Sequence, residues 1–162
     1  MSQWLPRSAT VLIDSNLAIL LCVGKSGTQN IEKHKRLRAY DEQDFHLLSE
    51  HLGDDPQLVF SPFVLCETSN LIRQNPLQKH LSMILREMIL RADEIQVSSA
   101  KIVEDNRYVD LGMTDAALLT ILSEHPNLAL LTEDAKLYLA AASRGYSAFN
   151  FSPVRNLRPD FQ

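Results

Sequence analysis

The chain has 162 residues, 45% of them apolar and 22% charged, and its 16 Lys and Arg stand against 20 Asp and Glu, for a net charge of −4 at neutral pH. That length and balance exclude a disordered chain and fit a single globular domain over residues 1–162, with a core that needs no disulfides. The longest apolar runs, such as 17–23 and 128–131, fall far short of the roughly 20 residues that span a bilayer, and the N-terminus lacks a basic start followed by an apolar stretch, so the expectation is a cytoplasmic protein with no membrane partner.

Residues 10–13 are a short β-branched apolar run followed at once by Asp14-Ser15-Asn16, residues that accept hydrogen bonds from a helix N-terminus. A strand, a turn and a helix over 17–23 are predicted, the helix ending at Gly24. Gly24 to Gly27 reads as a loop, and a basic stretch follows, with Lys33, Lys35, Arg36 and Arg38 around one acid, Glu32. Phe45, Leu47, Leu48 and Leu52 mark a helix that stops before Gly53-Asp54-Asp55-Pro56. A strand over 58–60 leads into Ser61-Pro62, an N-cap and a first helical residue. That helix runs to about Arg73, breaks near Pro76 and resumes over 77–90, with Leu81, Ile84, Leu85, Met88 and Ile89 at helical spacing.

Residues 94–97 suit a short strand, and Ser98-Ser99 open a helix through Tyr108 that Gly112 interrupts. Thr114 is expected to cap a helix over 115–124, ended by Pro126 and Asn127. An apolar strand over 128–131, a helix over 134–143, a turn at Arg144-Gly145 and a final strand over 147–151 complete the chain. Cys22 and Cys66 sit among apolar neighbours and read as small buried hydrophobes, not as a zinc or redox pair. Strands alternating with helices over short connections specify an α/β fold, a three-layer α/β/α sandwich around a mostly parallel sheet of four or five strands.

In an open parallel sheet, ligands sit outside the carboxyl ends of the strands. Asp14 follows the first strand, Glu67 lies in the second turn of the helix after the second, Asp115 opens its helix behind Thr114, and Asp134 follows the strand over 128–131. All four fall at one edge. Glu67 shares a polar stripe with Asn70, Arg73 and Gln74, while Val64, Leu65, Leu71 and Ile72 supply the apolar surface of the same helix. Two carboxylates about 5 Å apart repel by roughly 3 kcal/mol at an effective dielectric near 20, and a divalent cation relieves that repulsion. Oxygen-only ligands suit Mg²⁺ or Mn²⁺ rather than zinc. Phosphodiester hydrolysis is the chemistry that follows, one ion acidifying a bound water and a second, where present, stabilising the leaving oxygen.

Four segments carry a resemblance. Val11-Leu12-Ile13-Asp14-Ser15-Asn16 resembles the opening strand and aspartate of the PIN-domain nucleases, and Ser61-Pro62-Phe63-Val64-Leu65-Cys66-Glu67 resembles the segment with that family's helical glutamate. Asp110-Leu111-Gly112-Met113-Thr114-Asp115-Ala116 is similar to its glycine, hydroxyl, aspartate, alanine signature, and Leu130-Leu131-Thr132-Glu133-Asp134 to its threonine, any residue, aspartate ending. The resemblance spans nearly the whole chain. It implies an endoribonuclease site with Asp14, Glu67, Asp115 and Asp134 around Mg²⁺ or Mn²⁺, Asn16 and Thr132 as polar support, and Asp110 as a fifth carboxylate. Many small members are VapC-type toxins that cut tRNA or ribosomal RNA and are held inactive by an antitoxin protein, so RNA, an antitoxin and a second copy of the chain are the implied partners. The segment from Gly24 to Leu52 departs from the family, being longer and more charged than in the compact toxins.

Each acid also has a plain structural reading. Asp is a favoured N-cap, which accounts for Asp14, Asp134 and in part Asp115, but not for Glu67 in mid-helix, whose alternative is an exposed surface glutamate. Asp110 suits a turn before Gly112 and Asn16 a bond to its own backbone. Lys33, Lys35, Arg36, Arg38 and Arg73 read either as solvated surface or as phosphate contacts for RNA. The helix over 77–90 offers either a core face or a dimer surface. Gly24-Lys25-Ser26 fails as a phosphate-binding loop, because the required earlier glycine position holds Ile19, and the five His have no ligand spacing. The alternatives to a toxin are an inert PIN-like module that binds RNA or protein, and a PIN nuclease of RNA processing or defence.

Overall fold

Residues 10–13, the first β-branched run, form the central strand of the molecule. The structure, a computed structural model, describes residues 5–160. Strands β1 (Thr10–Ile13), β2 (Gln57–Phe60), β3 (Asp93–Glu94), β4 (Leu128–Thr132) and β5 (Ala148–Asn150) form one all-parallel sheet in the order β3-β2-β1-β4-β5. Thr10 pairs with Gln57 on one side and Leu128 on the other. The helices are α1 (Ser15–Lys25), α2 (Glu42–Leu52), α3 (Pro62–Ile72), α4 (Gln78–Arg91), α5 (Ser99–Ile102), α6 (Tyr108–Leu111), α7 (Met113–Glu124), α8 (Ala135–Ala142) and α9 (Phe151–Asn156). Right-handed crossovers put α1 to α4 on one face and α7 and α8 on the other, which is the three-layer α/β/α arrangement expected. Among the described residues no helix is long and apolar enough to cross a membrane.

The long segment after α1 has a structural reason. Helix α1 is apolar nearly all round: Leu17 through Gly24 are all buried, and only Asn16 on its first turn is fully exposed. A helix of that kind needs cover on its outer side as well as on the sheet. The 3₁₀ turns at Thr28–Asn30 and Lys35–Leu37 and helix α2 supply it, burying Ile31, Leu37, Tyr40, Leu48 and Leu52 in the same core. Gly24 allows the close approach, since a Cβ there would stand 2.1 Å from the Phe45 ring. Asp41 opens α2 with a reciprocal capping box to Asp44, each side chain accepting the other's backbone N–H at 3.0 Å.

Several boundaries differ from the sequence reading, each for a local reason. The helix expected from Ser98 to Tyr108 is split into α5 and α6, because Asp105 Oδ1 accepts the Arg107 backbone N–H at 3.0 Å and turns the chain. Helix α7 starts at Met113 after Gly112, whose φ of 83° closes α6 and opens α7, so Thr114 lies inside the helix and does not cap it. The last strand stops at Asn150, whose side chain accepts from Ser152 N at 3.0 Å and caps α9. Strand β3 is confined to Asp93–Glu94. Cys22 is buried as expected, but Cys66 is exposed: Val64, Thr68 and Ile72 form the inward stripe of α3, and Cys66 falls off that stripe.

Candidate functional site

The order β3-β2-β1-β4-β5 reverses direction between β1 and β4, and at such a switch point the loops leaving the two carboxyl ends separate and leave room for a ligand. Asp14 leaves β1 there, and Thr132, Glu133 and Asp134 leave β4. Asp14 is 5% exposed and heavily bonded. Its Oδ1 accepts from Leu17 N at 3.3 Å, and its Oδ2 from Thr132 Oγ1 and from Glu133 N at 3.3 Å. Burial pushes its carboxyl up to about 6 despite those three donors, with the nearby Glu133 charge adding to the rise.

Asp134 caps α8, its Oδ1 accepting from Leu137 N at 2.9 Å, while its own N–H donates to Thr132 Oγ1 at 3.0 Å. Thr132, fully buried, therefore couples the two aspartates through one hydroxyl. Asp115 sits in the first turn of α7, half-buried, and Glu67 is half-buried on α3. The Asp115 carboxyl is pushed up to about 7, first by burial and then by the charges of Asp134, Asp14 and Glu67. The charges of Asp134, Asp14 and Glu67 thus reach Asp115 from three other elements, and among the described residues none of the four acids is ion-paired to Lys, Arg or His.

The donor set is all oxygen and carries uncompensated negative charge, which fits a hard divalent cation. The acids stand apart rather than in a closed cage, since among the described residues no three Asp, Glu, His or Cys side chains already converge at metal-binding distance. Ser15 Oγ, one residue beyond Asp14, is buried without a hydrogen-bond partner, where a polar group ordinarily takes a water; Thr68 Oγ1 is likewise unpartnered, on the core-facing stripe of α3.

The chain matches no protein-family model and no curated protein. The site's character therefore rests on its own geometry.

The remaining sequence-derived residues fall elsewhere or at its margin. Asn16 is exposed on the first turn of α1, and Asp110, exposed on α6, is not among the charges that raise Asp115. Lys35, Arg36 and Arg38 are exposed on and beside the second 3₁₀ turn. Lys33 lines a hollow with Asn30, Asn75, Pro76 and Leu77, at the far end of α3, and Arg73 ends that helix. A larger groove of about 410 Å³ flanks α4 between Lys25 and Arg91 and contains none of the four acids. Sequence reasoning missed the role of Glu133, whose carboxylate is tied to Tyr40, Ser152 and Arg155. No local pattern announces it, because Tyr40 lies 93 residues away along the chain.

Proposed function

We propose that the protein is a metal-dependent endoribonuclease of the PIN type, using Mg²⁺ or Mn²⁺ held by Asp14, Glu67, Asp115 and Asp134. The observation that carries this reading is the placement of four acids, at the end of β1, on α3 and α7 and at the cap of α8, around the switch point of the sheet, near enough that the charges of the other three add to burial in raising Asp115. Among the described residues no basic side chain pairs with these acids; a divalent ion held by them would offset their charge and would supply an acidified water for phosphodiester hydrolysis. Asp14 is held in a fixed orientation by Thr132, Leu17 N and Glu133 N, so it would hold an ion without further loss of rotamer freedom. Asp134 keeps an oxygen free of its cap bond, and Glu67 approaches from α3 to bind the ion or orient the water.

RNA as substrate, a toxin role and an antitoxin that blocks the site rest on the resemblance of the four segments to VapC-type toxins. On the same reading a second copy of the chain packs against α4, where Met83 and Leu90 are exposed while Leu81, Leu85 and Met88 face the core. The second reading is an inert module that binds without cutting. It is favoured by the capping roles of Asp14 and Asp134, which account for both residues without an ion.

Incubating the protein with single-stranded RNA, tRNA and duplex DNA, each with Mn²⁺ or with chelator, tests the reading. Mn²⁺-dependent RNA cleavage lost in Asp14→Asn is the expected result. Cleavage that persists in Asp14→Asn removes the catalytic assignment, and binding without cleavage in any condition favours the module.

A further inference from the structure

Glu133 lies between two residues of the site, and a free carboxylate there would add another negative charge beside Asp14. Its side chain is instead fully occupied. Oε1 accepts from Arg155 Nη1 and from Ser152 Oγ at 3.2 Å, and Oε2 accepts from the Tyr40 hydroxyl. Arg155, 7% exposed, is itself gripped from the other side: Nε and Nη2 donate to the two Asp44 oxygens at 2.9 Å each, and Nη2 also donates to the Ala39 carbonyl. Its guanidinium carbon lies 4.6 Å from the centre of the Tyr40 ring. Asp44 is fully buried and shared with Arg158, whose Nη1 donates to it at 2.6 Å and to Asp41 at 2.7 Å. The cluster joins α9, α2 and the segment after α1 to the end of β4.

From this arrangement we infer that Arg155 is a positioning residue for the acid site: it pairs with Glu133, offsets part of its charge and holds its side chain beside Tyr40, which leaves the Glu133 backbone N–H on Asp14 Oδ2. The inference rests on the reading of the four acids as a cation site. A planar guanidinium suits the task because it binds Asp44 by two parallel bonds and still has a third nitrogen for Glu133. An uncompensated Glu133 has two ways to disturb the site. It repels the charge of Asp14, and it competes for the cation as a ligand from outside the set. Glu133, whose backbone N–H bonds Asp14, is a partner of the kind that typically governs metal affinity by about 10–100-fold, and Arg155 acts through it, one bond further out.

The test measures Mn²⁺ binding by calorimetry and by thermal shift, without RNA, together with kcat and KM for RNA. Arg155→Met is expected to weaken Mn²⁺ binding by about 10-fold, the low end of that range, and to lower kcat with KM for RNA unchanged. Tyr40→Phe, which removes one neutral donor and no charge, is expected to weaken it by a smaller factor, and carries the test if Arg155→Met does not fold. In the double variant Glu133→Gln/Arg155→Met the offending charge is gone while Asp44 keeps Arg158, so Mn²⁺ affinity is expected to recover most of the loss. Wild-type affinity in both Arg155→Met and Tyr40→Phe, or a double variant no better than Arg155→Met, overturns the inference while the cation site stands. No Mn²⁺ binding by the unmodified protein overturns both.

Discussion

Replacing Asp115 by Asn removes a charge that burial and three neighbouring acids oppose, so in chelator the variant is expected to be more stable than the native chain. The folded carboxyl titrates at about 7, against 3.8 for an unperturbed aspartate. Between those values the folded state holds a proton that the unfolded state has released, so stability falls as pH rises across that window and levels off above it. At about 1.36 kcal/mol per pH unit the full difference amounts to ~4 kcal/mol. Asp115 is partly exposed, and solvent screening reduces this to about 1–2 kcal/mol. For a chain of this size that is a rise in Tm of about 3–6 °C. Thermal unfolding in chelator from pH 4 to pH 8.5 reads it: native and Asp115→Asn proteins should melt together near pH 4 and separate up to pH 8. Adding Mn²⁺ at pH 8 should reverse the order. A variant that melts at or below the native protein throughout the range refutes the claim that burial and the neighbouring acids disfavour the Asp115 charge.

Other expectations follow from the core. Cys66 is exposed, whereas Cys22 is buried, with its thiol pushed up to about 12 by that burial and hydrogen-bonded to the Leu81 carbonyl at 3.3 Å. A thiol-reactive disulfide should therefore titrate one cysteine in the folded protein and two after denaturation, and equal rates for both would contradict the packing of α1. Gly24→Ala places a methyl against the Phe45 ring and should cost about 1–3 kcal/mol in urea unfolding, with part of the loss recovered by Phe45→Leu; an unchanged midpoint would show that α2 does not pack as described. Asp41→Ala removes the capping box of α2 and one anchor of Arg158, and should lower stability by at least about 1 kcal/mol.

Much of the fold was legible because the decisive signals are local. The β-branched run before Asp14, the Ser61-Pro62 pair and the apolar 128–131 stretch each set their own element, and together they imply the parallel sheet. The errors arose where a side chain competes with the backbone, as Asp105 does in splitting α5 from α6 and Asn150 in ending β5. Cys66 was misjudged because apolar neighbours in sequence do not reveal which side of a helix faces the core. The placement of Asp14, Asp115 and Asp134 was legible because strand ends and helix starts determine where their Cα atoms lie, and that of Glu67 because it follows from where α3 begins. The Arg155 cluster was not, since its partners Asp44 and Ala39 stand 111 and 116 residues away in the chain and only the folded molecule brings them together.

Calorimetric titration of Mn²⁺ into the native protein and into Asp14→Asn, Glu67→Gln, Asp115→Asn and Asp134→Asn tests the shared cation site most directly. If the four carboxylates serve one ion, each substitution weakens binding, and the effects of two together are not the sum of the two alone. If any two of the variants bind Mn²⁺ as tightly as the native chain, those acids do not share a cation and the account of the site is wrong.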